Sequence, residues 1–404
     1  MTTNRKRILL THRFFYPDSP TYAYILEDMR KLFKKNGFEV DVLSSKPSYK
    51  AVDKELKEKF ITKQKDGSTI YRLPVFKLKN SKLEKLLNYL WFPFAAFWFQ
   101  IFCRRYDVVT TATTPPVLYA FSAALASKIR RRKLIYHMMD IHPEVGRLSG
   151  EFKNKFVFNV LQWMDNFTCR TASRIVVLSS DMKAVLLKRD ESLADKIEII
   201  NNYDVSFGEM SSDQFFADNT GKKRVVFAGN IGRFQNLESF VLALKEYGCP
   251  ENFELVFVGE GAALAKLKGL AESIGNCVRF IPHQSVSVAR KIISEADMGI
   301  VSLQNEVIKY AYPSKTMTYL AEGTPILLCV DGDSEISSFT KSEKIGVSVT
   351  PSDTDRIYEV FKELSTGTLE FDQEHIKKVF KNNLSKKIFD KKYKNLLIDL
   401  IKDI

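Results

Sequence analysis

Short apolar runs alternate with longer amphipathic stretches through the first half of the chain. KRILLTH (6–12) predicts a strand. TYAYILEDMRKLFKKNGF (21–38) sets Ile25, Met29, Leu32 and Phe33 on one face of a helix, with Gly37 as its stop. FEVDVLS (38–44), YDVVTTA (106–112), KLIYHMM (133–139), RIVVLS (174–179) and KIEII (196–200) read as further strands, with helical patterns between most of them. A polar, aperiodic stretch follows, and then the alternation restarts: RVVFAG (224–229), FELVFVG (253–259), CVRFI (277–281), MGIVSL (298–303), TPILLCV (324–330) and GVSV (346–349). Strand alternating with helix means a parallel sheet wrapped by helices. The expectation is therefore α/β, with two Rossmann-like, doubly wound parallel-sheet domains in tandem. They span 1–202 and 223–371, joined by a linker at 203–222. The Lys-rich segment 372–404 reads as helical, with Phe380, Leu384, Ile388, Leu396 and Leu400 as its apolar face, and is expected to pack back towards the first domain.

Composition narrows the class. At 404 residues and 45% hydrophobic, the chain has enough apolar side chain for two buried cores and is not a disordered protein. The net charge of +13 favours anionic partners: nucleic acid, anionic lipid or phosphorylated ligands. Arg5-Lys6-Arg7 precedes only Ile8-Leu9-Leu10, too short an apolar run for a signal core. The five cysteines (Cys103, Cys169, Cys249, Cys277, Cys329) are dispersed and odd in number, which fits a reducing cytosol better than a disulfide framework.

One stretch changes the picture. LLNYLWFPFAAFWFQIF (86–102) carries Trp91 and Trp98 and is flanked by Lys79, Lys82, Lys85, Arg104 and Arg105; LASKIRRRK (125–133) adds a second basic cluster. Pro93 is expected to interrupt the run, against a membrane span. An interfacial helix, an acceptor groove and a long core helix with solvated ends all fit this composition. Basic and aromatic residues also serve nucleic-acid binding, but no recognised binding motif accompanies them, and no nucleic-acid partner is expected.

In open α/β sheets ligands sit beyond the carboxyl ends of the strands, so chemistry is sought there. RVVFAGNIGRFQNLESF (224–240) ends a strand at Gly229-Asn230-Ile231-Gly232, with a helix expected next and Arg233 at the turn. Glycines admit close approach of a ligand, and a helix N-terminus offers N–H groups to phosphate; a tight turn with a surface arginine has the same sequence. The spacing is neither G-x-G-x-x-G nor a Walker loop. FVGEGAALAKLKGLAE (257–272) repeats the theme at Gly259-Glu260-Gly261, and VRFIPHQ (278–284) ends a strand at Pro282-His283. PSKTMTYLAEG (313–323) reads as a helix with Ser314 and Lys315 at its start and Gly323 as its stop, a place where the dipole and Lys315 favour an anion. In the first domain His12 and Arg13 end one strand and TTATTPP (110–116), with Thr113, ends another. KLIYHMM leads into Asp140-Ile141-His142-Pro143-Glu144; His142 and Glu144 read as loop residues placed for an acceptor, His137 as a packed strand residue, and Asp140 equally as a helix cap.

Taken in order, strand-GNIGR-helix, FVGEG, VRFIPH and PSK-x3-YLAEGTPI resemble glycosyltransferase family 4, and the first half fits through THRFFYPDSPTYAYILEDM, TTATTPP, MMDIHPE and KIEIINNYD. The resemblance covers nearly the whole chain. It is nearest to the subgroup that builds O-antigen, capsule or exopolysaccharide units, including fucosyl- and N-acetylfucosaminyltransferases. It implies a GT-B fold with the two domains facing a cleft, and a retaining, metal-independent hexosyl transfer from a UDP- or GDP-linked sugar. The implied acceptor is a lipid-linked saccharide at the inner face of an anionic membrane; no cofactor is implied beyond the nucleotide sugar. Gly229, Asn230, Gly232, Gly259, Glu260 and Gly261 would line the donor, and Arg233 and Lys315 would neutralise the leaving diphosphate. Pro282 and His283 would hold the base, and Ser314 and Thr318 the sugar and ribose. Asp140 would face the reacting sugars, with His12, Arg13, Thr113, His142 and Glu144 on the acceptor side. The family's two glutamates, eight positions apart, are replaced by Tyr310 and Thr318, for which Glu306 or Glu322 would have to compensate; Asn236 stands near the place of a common lysine. A sugar-nucleotide epimerase and a non-catalytic nucleotide-sugar-binding subunit are the competing readings.

Overall fold

A computed structural model describes residues 5–18, 20–48, 59–76, 81–148, 150–205, 210–216 and 221–402. The chain divides into two compact units, Met1–Asn201 with Phe389–Ile404, and Asn202–Ile388.

The first unit runs β1 (Arg7–Thr11), α1 (Thr21–Lys35), β2 (Glu39–Ser45), β3 (Ile61–Lys63), β4 (Thr69–Leu73), α2 (Lys82–Phe102), β5 (Val108–Ala112), α3 (Leu118–Ile129), β6 (Lys133–His137), α4 (Glu144–Leu148), α5 (Lys155–Thr171), β7 (Arg174–Val177), α6 (Ser180–Arg189) and β8 (Ile197–Ile199). Its sheet has the order β3-β4-β2-β1-β5-β6-β7-β8. All neighbours are parallel except β3, which is antiparallel to β4. The central strands read as unbroken apolar runs because helices cover both of their faces. The β3–β4 hairpin had no sequence expectation: β3 is three residues long and mostly exposed, so it carries no alternating pattern.

Helix α2 corrects one expectation. Ser81 caps it by accepting from Glu84 N–H, and the helix continues through Pro93 to Phe102 instead of stopping there. Among the described residues no helix is long and apolar enough to cross a membrane.

The second unit runs β9 (Lys223–Ala228), α7 (Glu238–Tyr247), β10 (Phe253–Val258), α8 (Leu264–Ala271), β11 (Val278–Ile281), α9 (Val286–Ser294), β12 (Met298–Ser302), α10 (Lys315–Glu322), β13 (Ile326–Cys329), α11 (Glu335–Ser342), β14 (Gly346–Val349), α12 (Thr354–Ser365), α13 (Gln373–Asn383) and the start of α14 (Lys386–Lys402). Its six strands are all parallel, in the order β11-β10-β9-β12-β13-β14. Phe227, Phe240, Phe257 and Phe361 fill the core on one side of the sheet, and Val301, Tyr319, Leu320 and Leu328 on the other.

The cysteine expectation is overturned. Cys249 and Cys277 form a disulfide, with Cα atoms 6.0 Å apart. Cys249 lies just before β10 and Cys277 just before β11, and these strands are neighbours. Parallel pairing therefore brings together thiols separated by 28 residues of sequence. Cys103, Cys169 and Cys329 are free.

Candidate active site

In each sheet the strand order reverses between the first strand and the strand paired to its other edge: β1 and β5 in the first unit, β9 and β12 in the second. A crevice opens at such a switch point, outside the carboxyl ends of the strands. The expected site residues fall on the loops that leave these strand ends.

In the second unit β9 ends at Gly229, whose φ of +134° is closed to most side chains. The loop does not lead straight into a helix. Arg233–Gln235 form a 3-10 turn, Asn236 takes a left-handed conformation (φ +43°), and α7 starts only at Glu238. The free N–H groups expected directly after Gly232 thus belong to a turn. The glycines also serve a purpose the sequence did not show. A Cβ on Gly259 would lie 2.1 Å from the Gly229 carbonyl oxygen, and one on Gly261 would lie 2.2 Å from that of Ile231. Ile231 N–H donates to Glu260 O (2.8 Å), and Ala263 N–H to Ile231 O (3.0 Å). The two glycine loops are braced on one another backbone to backbone, and Gly259 and Gly261 are required for that contact.

Lys315 opens α10 and lies along this brace. Its Cε would be 2.5 Å from a Cβ at Gly229, and its ammonium sits 4.8 Å from the centre of the Phe227 ring. Burial pushes its pKa down to about 8. Among the described residues no carboxylate pairs with it. Keeping a cation half-buried without a counter-ion costs free energy that an anionic ligand would recover. Arg233 is exposed at the turn, and its carbonyl accepts from Gln304 Nε2 (2.8 Å), which ties the β9 loop to the β12 loop. Asn230, Glu260, Pro282, His283 and Ser314 are exposed; Ser314 precedes α10 without capping it. Glu306 is exposed, contacts Lys309 and has φ +67°. Glu322 pairs with Arg290 (2.6 Å). Thr318 donates to Asp204 Oδ1 (2.9 Å), a partner 114 residues away that no spacing announces.

In the first unit His12 and Thr113 are buried at the ends of β1 and β5. His12 meets Tyr22 edge-on, and Tyr22 meets His137. His137 Nδ1 is shared by Tyr22 Oη (3.1 Å) and Tyr393 Oη (2.8 Å), the latter from α14. Burial holds His12 at about 4 and His137 at about 3, so both are neutral at physiological pH. Arg13 lies over the Phe14 ring, and its carbonyl accepts from the Ser44 and Ser45 hydroxyls. The carboxyl of Asp140, just beyond β6, pairs with no side chain among the described residues, and burial pushes it up to about 6. Glu144 and His142 are engaged internally: Arg189 pairs with Glu144 and Asp165 and donates to the His142 carbonyl, and Gln162 also donates to Glu144. Among the described residues no group of three or more His, Cys, Asp or Glu side chains is arranged to hold a metal ion.

Comparison with known proteins agrees with this architecture. Residues 23–203 match the family model "Glycosyltransferase Family 4". The chain is 27% identical over 292 residues to the probable glycosyltransferase WbjE of Pseudomonas aeruginosa, covering 69% of this chain and 72% of that one. It is 22% identical over 346 residues to the putative colanic acid biosynthesis glycosyl transferase WcaI of Escherichia coli (strain K12), covering 80% and 83%. Among solved structures, sucrose-phosphate synthase from Thermosynechococcus elongatus superposes with a TM-score of 0.74 at 15% identity, over 99% of this chain and 100% of that one. Anabaena HepE in complex with UDP and glucose superposes with a TM-score of 0.64 at 15% identity, over 98% and 100%. Two Rossmann-like parallel-sheet units define the GT-B fold, and the chain is a glycosyltransferase. Its likeness to glycosyltransferase family 4 is carried by residues 23–203, nearly all of them in the first unit.

Proposed function

We propose that this enzyme moves a hexosyl group, with retention and without a metal, from a nucleoside diphosphate sugar (UDP- or GDP-linked) to a lipid-linked saccharide in surface polysaccharide assembly. The bond from the anomeric carbon to the diphosphate breaks, and a bond to the acceptor oxygen forms. The acceptor's proton leaves, and the nucleoside diphosphate departs with the extra negative charge. The observation that carries the reading is Lys315, a half-buried cation without a carboxylate partner, braced on Gly229 where β9 ends. It and Arg233 are suited to the leaving diphosphate, where charge develops in the transition state. Asp140 carries a carboxyl that pairs with no described side chain and has a pKa of about 6, suited to accept the acceptor proton at neutral pH. The likeness to WcaI, a putative colanic acid biosynthesis enzyme, and to HepE, solved with UDP and glucose, supports the polysaccharide setting and the nucleotide-sugar donor.

Placement at the inner face of an anionic membrane is supported by the first unit. Leu83, Leu86, Leu90, Phe94, Trp98 and Phe102 form an exposed ridge along α2, and Phe156, Val160 and Trp163 form another on α5. Exposed Lys85, Arg104, Arg105, Lys128 and Lys155 lie on or beside these helices. Lys79 lies outside the described residues.

The deciding experiment incubates the protein and membrane acceptor with a panel of labelled UDP- and GDP-sugars. Transfer of label to lipid is expected, with loss of transfer but retained donor binding in Asp140→Asn. An isomerised free donor would instead reveal an epimerase, and an unaltered donor a non-catalytic binding subunit.

A further inference from the structure

The loop that carries Asp140 is fastened at both ends to one arginine. Arg189 is the last residue of α6, and its side chain is 9% exposed. Its Nη1 donates to Asp165 Oδ2 on α5 (2.6 Å). Its Nη2 donates to Glu144 Oε2, at the start of α4, and to the His142 carbonyl (3.3 Å). Tyr136 Oη, on β6, donates to the other oxygen of Asp165 (2.8 Å). Gln162 Nε2, on α5, donates to the other oxygen of Glu144 (2.8 Å). All four carboxylate oxygens thus have a donor, and Tyr136 and Asp165 are buried.

Tyr136 and Glu144 stand four residues before and four residues after Asp140. Asp140 is therefore the midpoint of a segment whose two ends are tied, through two carboxylates, to the same guanidinium. Its own carboxyl pairs with no side chain among the described residues, so the backbone alone sets where it points. A buried ion pair adds little net stability over an apolar filling of the same volume, because desolvation offsets the attraction. What it does supply is geometry: the planar fork of an arginine holds its oxygens at fixed places. A general base needs such fixing, since it works only within hydrogen-bond reach of the proton it takes.

We propose that Arg189 is a positioning residue for transfer. Through Glu144, the His142 carbonyl and Asp165 it holds the β6–α4 loop so that the Asp140 carboxyl stays within reach of the acceptor hydroxyl. This rests on the reading of Asp140 as the base given above. It also gives Glu144 a task other than touching the acceptor, as the handle by which Arg189 holds the loop.

The test is a double-mutant cycle on the transfer of label to the membrane acceptor, with calorimetric titration of UDP and GDP beside it. Arg189→Lys keeps the charge and loses the fork. Its kcat is expected to fall about 100-fold, the cost of misplacing a catalytic group by about 1 Å. The donor KM and the nucleotide affinity should stay within about 2-fold, because the donor residues belong to the other unit. Tyr136→Phe removes one hydroxyl from the far end of the network and should lower kcat about tenfold; it serves if Arg189→Lys does not fold. In an Asp140→Asn background either change should cost less than about 2-fold more, since the group being positioned is gone. A loss that multiplies with that of Asp140→Asn, or full kcat in either single variant at a normal melting temperature, overturns the positioning role and leaves the base reading intact. Full transfer by Asp140→Asn alone removes both.

Discussion

The glycines of the second unit divide by what their missing Cβ would meet. At Gly259 it would meet the Gly229 carbonyl, a backbone atom that cannot turn aside. At Gly232 it would meet only Asn230 Nδ2, at 3.0 Å, the tip of an exposed side chain. Gly259→Ala is therefore expected to lose about 2–4 kcal/mol of stability and Gly232→Ala under about 1 kcal/mol, read as the difference in urea midpoint at constant slope. Lys315 gives a second residue-scale outcome. A diphosphate prefers the charged amine, so its affinity should be level below the free-protein pKa of about 8 and fall above it, by up to about tenfold per pH unit. The folded pKa lies below the unfolded value, so Lys315 adds stability as pH rises from about 8 towards 10.5, the reverse of its effect on binding. Lys315→Met should flatten the binding profile, measured by titration between pH 6.5 and 9.5. A profile that still falls through pH 8 in that variant would assign the titration to another group.

At the scale of elements, the disulfide ties the segment leaving α7 to the start of β11. Closing a loop of 28 residues is worth about 3.6 kcal/mol in the chain-entropy account. Cys249→Ser with Cys277→Ser should lower the melting temperature of oxidised protein and leave that of reduced protein unchanged. Thiol labelling under denaturing conditions should count three groups before reduction and five after, from the three free cysteines and the bonded pair. Five before reduction would show the bond unformed in solution. Helices α2 and α5 carry the other element-scale outcome. Their outward ridges include Phe102, 78% exposed, and Trp163, 61% exposed, whereas Trp91 is half-buried and donates to the Pro74 carbonyl. Binding to anionic vesicles should weaken with salt, and Trp98→Ser with Trp163→Ser should weaken it further at an unchanged melting temperature. Trp91→Ser should instead reduce stability, since it breaks a hydrogen bond and the contact with Phe76. Unchanged vesicle binding in the Trp98/Trp163 variant would reject these ridges as the anchor.

Over the whole molecule, the last stretch of chain belongs to the first unit rather than to the second, which it follows in sequence. Phe389, Tyr393, Leu396, Leu397 and Leu400 are buried there, and Tyr393 reaches His137 at the end of β6. Each such side chain contributes about 1.5–3 kcal/mol by burial, so together they rival the usual net stability of a domain, about 5–15 kcal/mol. A chain ending at 388 should lose the unfolding transition of its first unit and keep that of its second, seen as a protease-resistant fragment beginning near residue 202. Two intact transitions in the shortened chain would show that the helix is dispensable.

The sequence by itself determined what local pattern can carry. Buried parallel strands are continuous apolar runs, and Gly37 and Gly323 stop helices where φ turns positive, so the two-sheet architecture, the strand ends that lead to Gly229 and Asp140, and the helix start at Lys315 were legible. The exposed β3–β4 hairpin was not legible, because a three-residue strand has no period to read. Pro93 was misread because a proline's local cost is outweighed when neighbouring helices hold the flanking turns; α2 packs along α3 on its buried side. Only tertiary structure decided the rest, since each remaining feature joins residues far apart in the chain. Cys249 meets Cys277 because β10 pairs with β11, Gly259 has no room for a Cβ beside the carbonyl of Gly229, and Glu144 is taken up by Arg189. Thr318 meets Asp204 in the same way, from 114 residues away. Spacing along a chain records which face of an element a side chain occupies; what that face meets is set by how the elements pack.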